Sequence, residues 1–276
     1  MRWAICLLLT AAVSAQEPAS KTLLQQAAEA YRTATSLCDE GRFLEAEPVF
    51  QRALAAHRLL AEGNESYIMA ELHNLGVIAR KRGDFQQSLD LLNQSLAINR
   101  RQNAHRASAN TLIELANTYR AMDKPYDADP MVREAITLSE QLSPPDYQVY
   151  AGACNTYGAL HMRLQDIEGA TRWFQRALDA ARKLPSIQPD LEASVMANLA
   201  TAEFASGHSD QALELFRQSI AMQEKYLGSS HPKLGETLAS YSSVLRRLRM
   251  KDEAAEANRR AVHIRNSLVA PKPYIQ

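Results

Sequence analysis

Between Met196 and Ile220 the chain reads as two amphipathic helices separated by a break. Met196, Leu199, Ala200 and Glu203 fall at helical spacing before Gly207. Ala212, Phe216, Ser219 and Ile220 follow at i, i+4, i+7 and i+8 after it. Gly207 supplies the turn, and Ser209 or Asp210 is expected to cap the second helix by accepting its free N–H groups. Alone, such a hairpin leaves an apolar face in water, so it needs neighbours.

The neighbours are further copies of the same pattern. Ala212 stands four residues before Phe216 and seven before Ser219, and its counterparts are Ala46, Ser88, Ala128, Ala170 and Ala254. Successive copies are 42, 40, 42, 42 and 42 residues apart. A fixed period in this range signals a stack of helical hairpins. Turns are expected at Asp39–Arg42, Arg82–Asp84, Asp123–Pro125, Gln165–Asp166 and Gly207. Pro48 and Pro130 hold the same place in two copies, near the first turn of a second helix, where N–H groups lack intrahelical partners. Pro144–Pro145 should end the third copy, because a helix rarely continues into a proline pair. In the sixth copy Asn258 replaces Phe50, Leu92, Val132, Phe174 and Phe216 of the others, among Glu253, Glu256, Arg259 and Arg260. A polar outer face of this kind suits a terminal repeat.

Particular motifs sharpen the picture. A Leu-Gly pair occurs at Leu75–Gly76, softened to Leu115–Ala116, Tyr157–Gly158 and Leu199–Ala200. The pattern Ala-x-x-x-Phe-x-x-Ala is complete at Ala46–Ala53 and Ala170–Ala177. With the runs Leu227–Pro232 and Glu45–Pro48, these resemble the tetratricopeptide repeat (TPR) family. The match is to its long-period subclass of about 42 residues, as in kinesin light chains. The usual period is about 34, and eight more residues add about one turn to each helix. The resemblance implies an all-α fold, an α-solenoid of six stacked helix-turn-helix TPR-like repeats over residues 21–268, followed by a tail at 269–276. It is nearly silent on function, because the motif residues are packing residues.

Charge and cysteine usage narrow the function class. The formal net charge is zero and no block of five or six like charges occurs, which argues against a nucleic-acid partner. Residues 1–15 carry Arg2, an apolar run from Ala4 to Val13 and the small-residue site Val13-Ser14-Ala15, the layout of a cleavable signal peptide. The run falls short of the ~20 residues that a membrane span needs. A secreted or periplasmic protein with no stable membrane span after signal removal is expected, with residues 16–20 as a leader ending in a cap at Ser20. Removing Arg2 leaves 30 bases against 31 acids, a net charge of −1. Cys38 and Cys154 then remain, in the first and fourth repeats. Stacked repeats touch only neighbours, so the two should lie beyond the roughly 7 Å between Cα atoms that a disulfide allows, and should be small buried fillers.

Catalytic signatures are missing: there is no Gly-rich phosphate loop, H-E-x-x-H, C-x-x-C or G-x-S-x-G. The seven histidines form no i, i+4 pair, and His161 reads as a satisfied core or groove residue. No catalytic residue, metal ligand or cofactor is expected, and the chain reads as no enzyme. Asn64-Glu65-Ser66 and Asn93-Gln94-Ser95 match the glycosylation pattern.

Solenoids of the family that this chain resembles bind extended peptides along the concave face lined by first helices. In the fifth repeat Ser194, Ala197, Asn198, Thr201, Phe204 and Ala205 share one helix face. The candidate groove residues over the whole chain are Tyr31, His73, Asn74, Arg80, Lys81, Asn117, Arg120, Asn155, Arg163, Asn198, Thr201 and Phe204. This face carries seven cations, at 32, 80, 81, 120, 163, 246 and 247, against Asp39, Glu114 and Glu236. One reading is a groove favouring an acidic or carboxylate-bearing protein segment, with Asn74 and Asn198 gripping its backbone. The other is that the cations other than Arg32 complement helix dipoles, each contributing about 0.3–1 kcal/mol. The expected function is an exported, non-enzymatic protein- or peptide-binding scaffold; the alternative is a structural or self-assembling solenoid with no peptide ligand.

Overall fold

The computed structural model describes residues 22–60, 63–142, 145–186 and 188–269. The proposed signal peptide, the leader with Ser20, and nearly all of the tail lie outside the described residues. Among the described residues twelve helices run in order: α1 (22–39), α2 (Phe43–Leu59), α3 (Glu65–Arg82), α4 (Phe85–Arg101), α5 (His105–Ala121) and α6 (Pro125–Gln141). They continue with α7 (Tyr147–Arg163), α8 (Ile167–Ala181), α9 (Pro189–Ala205), α10 (Ser209–Leu227), α11 (Pro232–Arg247) and α12 (Lys251–Val269). Each odd helix and its successor make one hairpin, and no strand occurs among the described residues. The fold class is the all-α helical-repeat solenoid that the period predicts.

One residue sets each turn. Gly41, Gly83, Asp123, Gln165, Gly207 and Arg249 all have positive φ, between 59° and 91°, five residues before the marker of their repeat. The next residue's N–H then reaches back to a carbonyl five residues earlier, as in Asp84 N to Ala79 O and His208 N to Glu203 O, both 2.9 Å. Three of the six turns thus hold a left-handed backbone without glycine. Helix α10 starts at Ser209, so His208 is its N-cap and no side chain caps it; the hydroxyl and carboxylate expected to do so belong to the first and second residues of the helix. Pro48 and Pro130 are each the sixth residue of their helix, one turn deeper than expected, with exposed rings. The released carbonyls one turn back therefore lie on the solvent side, and the helices continue.

Size matching closes each hairpin. Ala34, Gly76, Ala116, Gly158, Ala200 and Ser242 stand opposite Phe50, Leu92, Val132, Phe174, Phe216 and Asn258 in the repeat register. A Cβ on Gly158 would lie 2.6 Å from the Phe174 ring, and one on Gly76 would lie 2.7 Å from Leu92 Cγ. Phe50, Phe174 and Phe216 are fully buried, each worth about 1.5–3 kcal/mol of apolar transfer. Asn258 is exposed, and Ser242 Oγ instead donates to Ala254 O at 2.8 Å.

The chain divides into two compact units, residues 1–98 and 99–276. In the first, Tyr31, Phe50, Leu54, Leu72, Leu75 and Ile78 build one core. In the second, α5, α7, α9 and α11 lie side by side, and each even helix packs against the odd helix that follows it. Trp173 joins the core around Val132 and Tyr157 to that around Phe174 and Met196, a packing role between hairpins.

Candidate functional site

First helices of the second unit place Asn117, Arg120, Asn155, Arg163, Asn198, Thr201 and Phe204 on one side of a row of neighbouring helices. Two of these meet. Asn198 Nδ2 donates to Asn155 Oδ1 at 2.9 Å, bridging α9 and α7. Both side chains are half-buried, and neither amide has another hydrogen bond among the described residues. The pair therefore presents one amide donor, Asn155 Nδ2, and one acceptor, Asn198 Oδ1. Thr201 Oγ1 donates to Ala197 O within its own helix at 3.0 Å, and Asn117 lies 3.4 Å from Glu114 Oε1.

Several candidates serve packing. Arg163 pairs with Asp123 in the preceding hairpin's turn. The Arg247 guanidinium sits 4.9 Å over the Phe204 ring. In the first unit Lys81 Nζ lies 4.9 Å over the Phe43 ring, and Tyr31 packs edge-on to Phe50 at 5.7 Å. Lys81, Arg163 and Arg247 share one register position in the second, fourth and sixth repeats, and each reaches back to the hairpin before it. The spacing of these three cations was visible in the sequence; their targets were not. Arg80, Arg120, His73 and Asn74 are half-buried on their helices.

Several polar side chains of the third and fourth repeats are paired. His161 Nδ1 and Asp166 Oδ2 are 2.7 Å apart, and Asp166 also accepts from Gly169 N. Those bonds, the backbone one first, hold the Asp166 carboxyl below its usual range. Tyr157 donates to Asp129 Oδ1 at 2.8 Å, and burial followed by that bond pushes its phenol up to about 12. Burial alone would raise Asp129, but bonds from Arg133 and Tyr157 outweigh it and keep the carboxyl low. Cys38 and Cys154 are free thiols; burial pushes Cys38 up to about 11 and Cys154 to about 12, so neither is a thiolate at neutral pH. Among the described residues no three His, Cys, Asp or Glu side chains gather as a metal site, and no helix is long and apolar enough to cross a membrane.

A family model for the tetratricopeptide repeat matches residues 26–98, 67–141, 150–225 and 193–267. The chain belongs to the tetratricopeptide repeat family. Among solved structures, a TPR-family likeness extends to the kinesin-light-chain, nearly identical TPR-like repeats of a Podosopora anserina protein. That TM-score is 0.53 at 20% identity, covering 72% of this chain and 95% of that one. A Rap protein complexed with competence and sporulation factor matches at TM-score 0.65 and 16% identity, over 87% of this TPR chain and 75% of that one. Response regulator aspartate phosphatase E of Bacillus subtilis (strain 168) is 27% identical over 106 residues, 38% of this chain and 28% of that protein's length.

Proposed function

We propose that this TPR protein is a non-enzymatic scaffold that holds an extended segment of another protein against the first-helix face, in a groove centred on α7 and α9. The single observation carrying the reading is the Asn155–Asn198 pair, whose unused donor and acceptor complement the C=O and N–H of a peptide backbone. Asn is a poor helix former in both positions, so propensity gives no reason for it. A neighbouring fold that holds competence and sporulation factor, in the Rap complex, supports the same reading by analogy. A groove built on packed helices leaves mainly the ligand to be ordered, which limits the entropic cost of binding.

The test uses peptides selected from a random library on the full chain. Asn198→Ala is expected to weaken the selected peptides about tenfold, since a lost buried hydrogen bond is worth about 1–1.5 kcal/mol, in a chain that stays folded and whose melting temperature falls only by the loss of the bond to Asn155. Undiminished binding in an Asn155→Ala/Asn198→Ala variant overturns the reading. An acidic preference is the charged part of the proposal. It rests on Arg246, an exposed cation of the first-helix face in the same unit. Arg246→Glu should then slow association with acidic peptides at low salt and leave neutral ones unaffected. Export to a secreted or periplasmic location completes the proposal, and a mature N-terminus at Gln16 is the expected result of sequencing the purified protein.

A further inference from the structure

One packing position recurs at every junction between consecutive hairpins. Eleven residues after each marker, at the end of a second helix, stand His57, Asn99, Ser139, Ala181 and Gln223. The first helix that follows offers Glu71, Thr111, Ala153, Val195 and Thr237 at the matching register. All ten are buried. At two junctions a contact crosses: Asn99 Nδ2 donates to Thr111 Oγ1 at 3.0 Å, and His57 Nδ1 lies 2.6 Å from Glu71 Oε1, whereas Ser139 Oγ donates to Ile136 O within its own helix. Ala181 and Val195 show that small apolar residues fill the same place in this chain.

The His57–Glu71 pair is therefore not required for packing. Both side chains are fully buried, and His57 Nε2 and Glu71 Oε2 have no partner among the described residues. The imidazole stacks on Tyr67 at 4.6 Å, and Tyr31 of α1 lies edge-on to Tyr67 at 6.1 Å. From α2 the charged group acting on Glu71 is Arg58, which is exposed and donates to the neutral Gln94 of α4. A buried pair with so little other support is stable only while it carries no net charge.

We propose that the junction between the first two hairpins is a proton-operated latch: one proton held between His57 and Glu71 keeps α2 on α3, and its loss loosens them. Burial lowers the imidazole below 6.5 and pushes the carboxyl up to about 8. The closed pair thus keeps one proton from the acid side up to about pH 8. Opened to water, the pair also holds one proton between pH 4.5 and 6.5, now on His57, so opening there is independent of pH. Above 6.5 the opened pair holds none; opening then releases a proton and is favoured as pH rises, until the closed pair itself titrates near 8. Below 4.5 the opened pair takes up two, and opening is favoured again. The latch is tightest in mild acid.

Hydrogen exchange on the full chain at pH 5.5 and pH 8, corrected for intrinsic rates, tests this. Protection in α2 and α3 should fall about tenfold between the two, while α8 and α9, joined at Ala181 and Val195, should hold. Glu71→Gln keeps a hydrogen bond but not the carboxyl's titration, and should turn the fall into a rise, because an opened His57 still takes up a proton at pH 5.5. The variant His57→Ala/Glu71→Val, a copy of the α8–α9 junction, should remove the fall and serves if Glu71→Gln does not fold. Protection that stays level in the wild type, or a fall that survives either substitution, overturns the latch. So does a Glu71 carboxyl carbon that titrates in the folded wild type near 4.5, its ordinary value.

Discussion

Gly158 has no side chain because Phe174 occupies the space where one would be. Gly158→Ala should therefore cost about 1–3 kcal/mol in urea unfolding, the usual cost of overpacking. The double variant Gly158→Ala/Phe174→Val recreates the Ala116–Val132 pair of the third repeat. It should be less destabilised than the sum of its single changes, a coupling that a double-mutant cycle reads directly. Other residues resist reading one at a time. His57 is an ordinary histidine and Glu71 an ordinary helix acid until the register places them across a junction. The signal was there: a run of His, Asn, Ser, Ala and Gln, four of them polar, at one register position. Its meaning needed the burial. Cys38 and Cys154, as raised thiols, should alkylate slowly at neutral pH in the native chain and quickly in denaturant.

At the scale of the element, the hairpin is governed by its turn. Gln165 is exposed and sits at φ 61°, where a side chain costs about 1–2 kcal/mol and glycine does not. Glycine brings its own unfolded-state entropy of roughly 0.5–1 kcal/mol. Gln165→Gly should therefore leave stability unchanged or raise it by up to about 1 kcal/mol, and Gly207→Gln should lower it by a similar amount; thermal melts of the two variants check the pair of signs. The ion pair of Arg163 with Asp123 is exposed on both sides, so Arg163→Ala should cost less than about 1 kcal/mol. Helix limits were legible from glycines, prolines and apolar spacing, because these act locally. Cap identity at α10 and the depth of Pro48 were not, since both turn on where the chain leaves the helix by a single residue.

Across the molecule, the period made the fold readable before any contact was known, because a repeated sequence can bury its face only on its own neighbours. The candidate face was half readable: asparagine stood out as misplaced in a helix interior, whereas the cations' aromatic and acidic targets lie a whole repeat away. Nearest-neighbour packing also shapes unfolding. Phe216→Ala, at about 3–5 kcal/mol, should strip hydrogen-exchange protection from α9 to α12 while α5 and α6 keep most of theirs. A single all-or-none loss over the second unit would contradict this. The two kinds of matched pair, one inside a hairpin and one across a junction, then act like spelling and syntax. A hairpin carries its own small-and-large match and could be moved whole, but Glu71 moved to follow Ala181 would lose its imidazole. Shuffling, duplicating or excising repeats in this chain is thus constrained by neighbour grammar, and tolerated rearrangements should be those that keep each second helix with the first helix that answers it.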